Sequence, residues 1–373
     1  MANTELSSRI ISCLRFPLTL GVVFIHYNIA NGSDPWWVIF IINLISEVIS
    51  RIAVPLFFLI SGFLFFYHTE FSLNIYVKKL KKRYWSLFVP FILWNILAIC
   101  KMASHKIAVF SKFYPDAQDI EIRLSLTRFI NTLFNYDETN GIFIRQTANI
   151  TPRLDYLPYP IDMPLWFVRD LMIVVILSPL IYWFIKKSGL KFILFLGVVW
   201  YFLEAIFFQG NWFVLLSRAF FFFSWGAYFS INNLDAVKEM QSHQHIVYLY
   251  FPLAILDATT QACSWNIFIH QAGILLGIFG VITISSHFIH TKSAHLFEKF
   301  QNCSFFVFAL HTLIIRDIAK LIFTAIHIPG NGFGVLFSYF SVPIATTTIC
   351  VMLYWVLKRF FPPVLVLLTG GRQ

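Results

Sequence analysis

Charge is what this chain has least of. Aspartate, glutamate, lysine and arginine together make up 12% of its 373 residues, about half the share expected of a soluble domain. An ordinary water-soluble globule is therefore excluded. Cysteine is scarce as well. Cys13, Cys100, Cys263, Cys303 and Cys350 lie in or beside apolar runs without metal-ligand spacing, so they read as small buried hydrophobes. His243, His245, His287, His290 and His295 lack tetrahedral spacing with cysteine or acidic partners, and no metal is expected. An internal repeat, a low-complexity tail, a cleavable signal and a soluble catalytic domain are also missing from the pattern. The net charge of +10 does not point to nucleic acid, because the basic excess falls beside apolar segments rather than on a polar fold.

What the chain has instead is apolar length. Hydrophobic residues make up 58%, with 44 phenylalanines. A helical span needs about 20 apolar residues. Ten stretches qualify, near 10–30, 38–66, 84–103, 164–185, 190–209, 211–231, 246–263, 266–286, 303–325 and 333–357. The predicted fold is all-α: a polytopic membrane helix bundle of about ten transmembrane helices, forming one domain over 1–373. The second stretch is too long for one straight span, so its first part is expected to lie along the interface. Lysine and arginine cluster in short loops at Lys78–Arg83, at Lys186, Lys187 and Lys191, and at Lys358 and Arg359. All fall on one side of a ten-span chain, and by the positive-inside rule that side is cytoplasmic, with both termini. A long loop at about 104–163 then faces outward, with a short amphipathic helix expected over 127–134.

Polar groups inside spans are costly and mark sites. Arg15 and His26 stand eleven positions apart in the first span, on nearly one helix face and about 16 Å apart along the axis. The bland readings are that Arg15 snorkels to the headgroups and that His26 bonds a neighbouring helix. The second span carries Glu47, Arg51, Pro55, Ser61 and Gly62. Ser61 and Gly62 read equally as a packing notch and as part of a site. The fourth span carries Trp166, Arg169 and Asp170, and the ninth carries His311, Arg316 and Asp317. Glu204 and Asp257 lie near the ends of their spans and read as interfacial. Lys82 and Arg83 close the basic loop. They serve topology and attraction to anionic membrane lipids, or they bind a phosphorylated cytosolic donor.

These landmarks resemble acyltransferase family 3 of integral membrane proteins. The similar features are an arginine and histidine separated by ten residues (Arg15, His26), and Val-Pro-Leu-Phe-Phe through Ser-Gly-Phe at Val54 to Phe63. A basic loop leads into Arg83 and Pro90, Trp-Phe-x-Arg-Asp-Leu stands at Trp166 to Leu171, and Ser178-Pro179-Leu180 follows. Phe222-Phe223 with Gly226, and Ser304 to His311, complete the order. The loop at 104–163 is not covered. The resemblance implies transfer of an acyl group, usually acetyl, from cytosolic acyl-coenzyme A to a hydroxyl of a cell-envelope glycan or glycolipid, at a bacterial inner membrane. Acyl-coenzyme A would be a substrate, with no tightly bound cofactor. Arg15, Lys82 and Arg83 would hold the donor, and His26 would act as general base or form a transient acyl-histidine. His311 would lie near His26 and orient it, while Arg51, Ser61, Trp166, Arg169, Asp170 and Arg316 would line the site. A transporter or flippase of lipid-linked sugars is the alternative, although the paired repeats of many transporters are not evident.

Overall fold

A computed structural model describes residues 2–67, 71–113, 132–134, 159–207, 212–289 and 291–372. Most of the expected outer loop, including most of the helix expected over 127–134, falls outside these residues. The described residues form an all-helical bundle without a strand. Helix α1 is Ala2–Ile25, and α2 runs unbroken over Trp36–Phe66. Helix α3 runs from Leu73–Arg83 through a π turn at Tyr84–Phe88 into Val89–Phe113. There follow α4 (Trp166–Ile176), α5 (Ser178–Ser188), α6 (Leu190–Phe207), α7 (Trp212–Ile231), α8 (Ala236–Ser242) and α9 (Val247–Thr259). The chain continues with α10 (Asn266–Phe288), α11 (Lys292–Phe300), α12 (Ser304–Ala325), α13 (Gly332–Phe360) and α14 (Pro362–Thr369).

Six helices among the described residues are long and apolar enough to cross a membrane, or seven if the bent α4–α5 pair is one span. That is fewer than the ten stretches the sequence suggests. Helix α9 is only 13 residues long, and α12 carries Arg316, Asp317 and Lys320 within its 22 residues. The α4–α5 pair bends by 62° where Pro179 supplies no backbone donor and ends the preceding helix. The carbonyl of Ile176, left at the break, accepts the Tyr76 hydroxyl at 2.8 Å.

Helix α2 stays continuous over its 31 residues. Its irregularity is absorbed within one rod, by a π turn at Asn43–Ile49 and a 3₁₀ turn at Ser50–Ile52. Pro55 follows directly and cannot donate to the carbonyl of Arg51, which a regular helix would require. The π turn is pinned by Ser46, whose hydroxyl donates to the Phe24 carbonyl at 2.9 Å and meets the Tyr339 hydroxyl at 2.7 Å.

A tight helix crossing joins α2 and α7, and two glycines make it. A Cβ on Gly62 would stand 1.9 Å from the Phe223 carbonyl oxygen. A Cβ on Gly226 would stand 1.9 Å from that of Leu59. Each glycine thus accepts the other helix's backbone, the small-residue packing that drives helix association in lipid. Helix α1 packs against this pair's α2 side and against α11 and α12, so its polar residues face the interior of the bundle.

Candidate active site

Four helices contribute residues to both of two cavities, and their residue order maps the site. On α1, Arg15 and Thr19 line one cavity, and Val22 and Ile25 line a second, joined by His26 just past the helix end. On α2, Ser61, Ile60 and Phe57 belong to the first cavity, and Val54 and Arg51 to the second. On α12, Ser304 and Phe305 face the first, and Phe308 borders both. The α4 segment contributes Phe167 and Leu171 to the first, and Trp166 to the second. The cavities therefore stack along α1, about 290 Å³ at the arginine end and about 260 Å³ at the histidine end.

Between them sit three phenylalanines. The ring centroids of Phe57, Phe167 and Phe308 form a triangle with sides of 5.8, 6.4 and 5.9 Å. These are the edge-to-face and tilted contacts that aromatic quadrupoles favour. The sequence marks Val54 to Phe63 as a unit, but only the fold reveals that Phe57 meets rings from two other helices.

At the histidine end, the rings of His26 and His311 lie 5.2 Å apart between centroids. His311 is fully buried, while His26 is half-buried. The Nδ1 of His311 lies 3.2 Å from the Val307 carbonyl. A carbonyl only accepts, so Nδ1 carries a proton, and in the neutral ring the lone pair is then on Nε2. His26 also borders a third, wider cavity of about 640 Å³, lined by Lys101, Tyr159, Thr312, Arg316 and Asp317. The histidine therefore stands where two cavities meet.

Both arginines that line the second cavity are tied to carboxylates. Arg51 donates from Nε to Glu47 at 2.9 Å and from Nη2 to the same oxygen at 2.6 Å, and the Asn28 amide donates to the other Glu47 oxygen at 2.8 Å. Arg218 lines the histidine cavity and donates to Glu204 from Nε at 2.7 Å, with a second bond from Nη2. Gln271 holds the remaining Glu204 oxygen at 2.9 Å. Glu204 is thus buried and paired rather than interfacial. Asp257 is buried too, 2.9 Å from Nδ1 of His270 and bonded by Gln261 and Asn266. Arg169 and Asp170 face each other at 2.8 Å, Arg169 also donating to the Phe134 carbonyl. This buried pair fastens α4 to its neighbours and borders none of the three cavities.

At the arginine end, Arg15 and Arg83 line the same cavity, and Ser61 lines it too. Lys82 is on the exposed face of α3 and does not. Two further residues escaped the sequence reading. Arg372 joins this cavity from beyond α14, and Asp162 is fully buried beside α12, accepting the Thr312 hydroxyl at 2.8 Å. Among the described residues, no cluster of His, Cys, Asp and Glu is suited to a metal.

This arrangement accompanies a family match over nearly the whole chain. A family model described as an acyltransferase domain covers residues 9–355. The chain belongs to acyltransferase family 3. It is a membrane acyltransferase, as the helices and the family together require. It is similar to the succinoglycan biosynthesis protein ExoH of Rhizobium meliloti (strain 1021), with 24% identity over 386 residues, 99% of this chain and 94% of that protein. No solved structure matches it.

Proposed function

We propose that this acyltransferase moves an acyl group, acetyl in the simplest case, from cytosolic acyl-coenzyme A to a hydroxyl of a cell-envelope polysaccharide or glycolipid. The observation that carries the reading is the stack of two cavities on one helix: guanidinium groups without carboxylate partners at one end, the His26 imidazole backed by His311 at the other, and a collar of three phenylalanines between. Coenzyme A has the matching shape, with phosphates at one end and a thin apolar-tolerant arm ending in a thioester. Arg15 and Arg83 take the phosphates, because a guanidinium offers a planar fork to phosphate oxygens. The arm passes the collar and sets the thioester near His26. The basic end of the bundle then faces the cytoplasm, and the wide cavity beside His26 receives the glycan from the outer side. The relative's role in succinoglycan biosynthesis supports a polysaccharide acceptor.

In this mechanism His26 takes the proton of the acceptor hydroxyl as its oxygen attacks the thioester carbonyl. A carbon–oxygen bond forms, the carbon–sulfur bond breaks, and the departing thiolate takes the proton back from the imidazolium. His311, its tautomer set by Val307, packs against His26 and holds its ring in place. General-base assistance of this kind contributes about 10²–10⁴-fold.

The test uses purified protein in detergent with acyl-labelled acetyl-coenzyme A. Slow acyl release without acceptor, faster transfer with added envelope glycan, and no need for an ion gradient are expected. Absence of acetyl transfer, with another thioester donor active, would limit the reading to that donor. Absence with every thioester would end the coenzyme A reading.

A further inference from the structure

The arginine cavity holds one residue whose placement the chain takes special care over. Helix α14 ends in a Schellman turn, in which Gly370 has φ 64°, Gly371 has φ 79°, and the Gly371 N–H donates to the Val366 carbonyl at 2.9 Å. Gly370 also lies against α3, so that a Cβ there would stand 2.5 Å from the Cα of Ser86. Backbone conformation and packing both require glycine at this point. The Trp94 indole pins the same turn by donating to the Leu368 carbonyl at 2.9 Å.

The turn sends the next residue, Arg372, back into the bundle. Its guanidinium stacks over the Phe305 ring, 4.4 Å from the centroid, and borders the cavity that Arg15 and Arg83 line. Its Nη1 is buried without a hydrogen-bond partner. Among the described residues, no carboxylate pairs with any of the three. Burial, with Arg83 and Arg15 nearby, pushes the Arg372 guanidinium down to about 9, which still leaves it charged near neutrality. Three cations gathered by a turn this constrained repel one another unless an anion lies between them. Phosphate oxygens meet guanidinium forks with strong charge-assisted bonds.

We propose that Arg372 is the third guanidinium of the donor site, completing with Arg15 and Arg83 a clamp for the phosphates of the acyl donor. This inference rests on the coenzyme A reading above. A phospholipid headgroup offers the same phosphate chemistry, so the experiment has an arm for each source.

Full-length protein in neutral detergent is titrated calorimetrically with acetyl-coenzyme A, as wild type, Arg372→Gln and Arg372→Lys. Wild-type binding weakened roughly tenfold or more in Arg372→Gln is expected, from the contribution of one hydrogen bond to a charged group. Its dependence on salt should become shallower, its melting temperature should stay put, and Arg372→Lys should restore part of the affinity. Wild-type binding with unchanged affinity in Arg372→Gln overturns the inference and leaves the coenzyme A reading standing. Failure of the wild type itself to bind the donor removes that reading and this inference with it. In the second arm, nanodiscs of phosphatidylglycerol are compared with nanodiscs of phosphatidylcholine. If Arg372→Gln loses only retained anionic lipid and keeps its donor affinity, the cluster is a lipid site and the inference is overturned.

Discussion

Around the cavity at the histidine end, Arg51 and Arg218 carry carboxylate partners, Glu47 and Glu204. At the other end, Arg15, Arg83 and Arg372 converge on one cavity with no carboxylate partner among the described residues. The same residue type is neutralised in one place and left charged in the other. A buried ion pair contributes little net stability but is costly to break, so the paired arginines shape a cavity without giving it a strong field. The unpaired set does the opposite and makes a field for a polyanion. A neutral sugar hydroxyl suits the first environment and a phosphorylated donor the second.

His26→Asn should have the largest effect on this division. It keeps polarity yet cannot act as a base near neutral pH, so transfer should fall by about 10²–10⁴-fold while calorimetric affinity for the donor holds. Equal failure in His26→Ala is expected. Near wild-type transfer by His26→Asn would make the histidine only an interhelical hydrogen bonder.

Glu204→Gln attacks the neutralised end directly by leaving Arg218 charged and unpaired in the interior. A loss of about 3–5 kcal/mol is expected, read as a fall in detergent melting temperature. Replacing both partners with methionine should recover most of it. A single variant as stable as wild type would show that the pair is not what balances this end.

Phe308→Ala opens the collar between the two ends. The expected outcome is a higher ratio of acyl-donor hydrolysis to transfer, measured with labelled acyl-coenzyme A, because water gains a route to the thioester. An unchanged ratio would remove the collar from the mechanism.

A pH dependence, rather than a loss at one pH, is expected of Asp162. Burial pushes its carboxyl from 3.8 up to about 8, although the Thr312 hydroxyl pulls the other way. Between those values the folded protein keeps a proton that the unfolded chain has released. Stability should therefore fall as pH rises through that window, by at most about 1.4 kcal/mol per pH unit, and level off above it. Asp162→Asn should flatten the profile in melts at pH 5 and pH 8, and a profile unchanged by the substitution would refute the assignment.

Much of this site was legible because it depends on short-range spacing. Arg15 and His26 share a helix face by arithmetic alone, and Ser61 with Gly62 read as a packing notch, but that Gly226 stands opposite came only from the fold. The partner across a helix was not legible. Glu204 lies near the end of α6 and reads as interfacial, but Arg218 and Gln271 come from α7 and α10 and enclose it. Lys82 and Arg83 are neighbours in a basic run, and only the helical phase of α3 turns one toward the cavity and the other away. Arg372 follows the last apolar stretch, where nothing in the pattern suggests a return to the interior. Its signal is the Gly370–Gly371 pair, a helix stop that also reverses the chain. The 62° bend had its cue in Pro179, but the unbroken α2 did not, since a π turn leaves no mark in hydrophobic periodicity.

The phenylalanine triangle bears on the membrane's electrical insulation. A bundle with polar cavities entering from both ends is, in outline, a half-built proton wire, and its histidines are good carriers. Hydrophobic constrictions stop conduction by shedding water. Rings of Phe57, Phe167 and Phe308 packed within 6.4 Å of each other place such a dry stretch at the level where the two cavities meet. On the proposed reaction, a slender acyl-bearing arm would part three side chains that a hydrated ion cannot, and the collar would let chemistry cross while the membrane keeps its voltage.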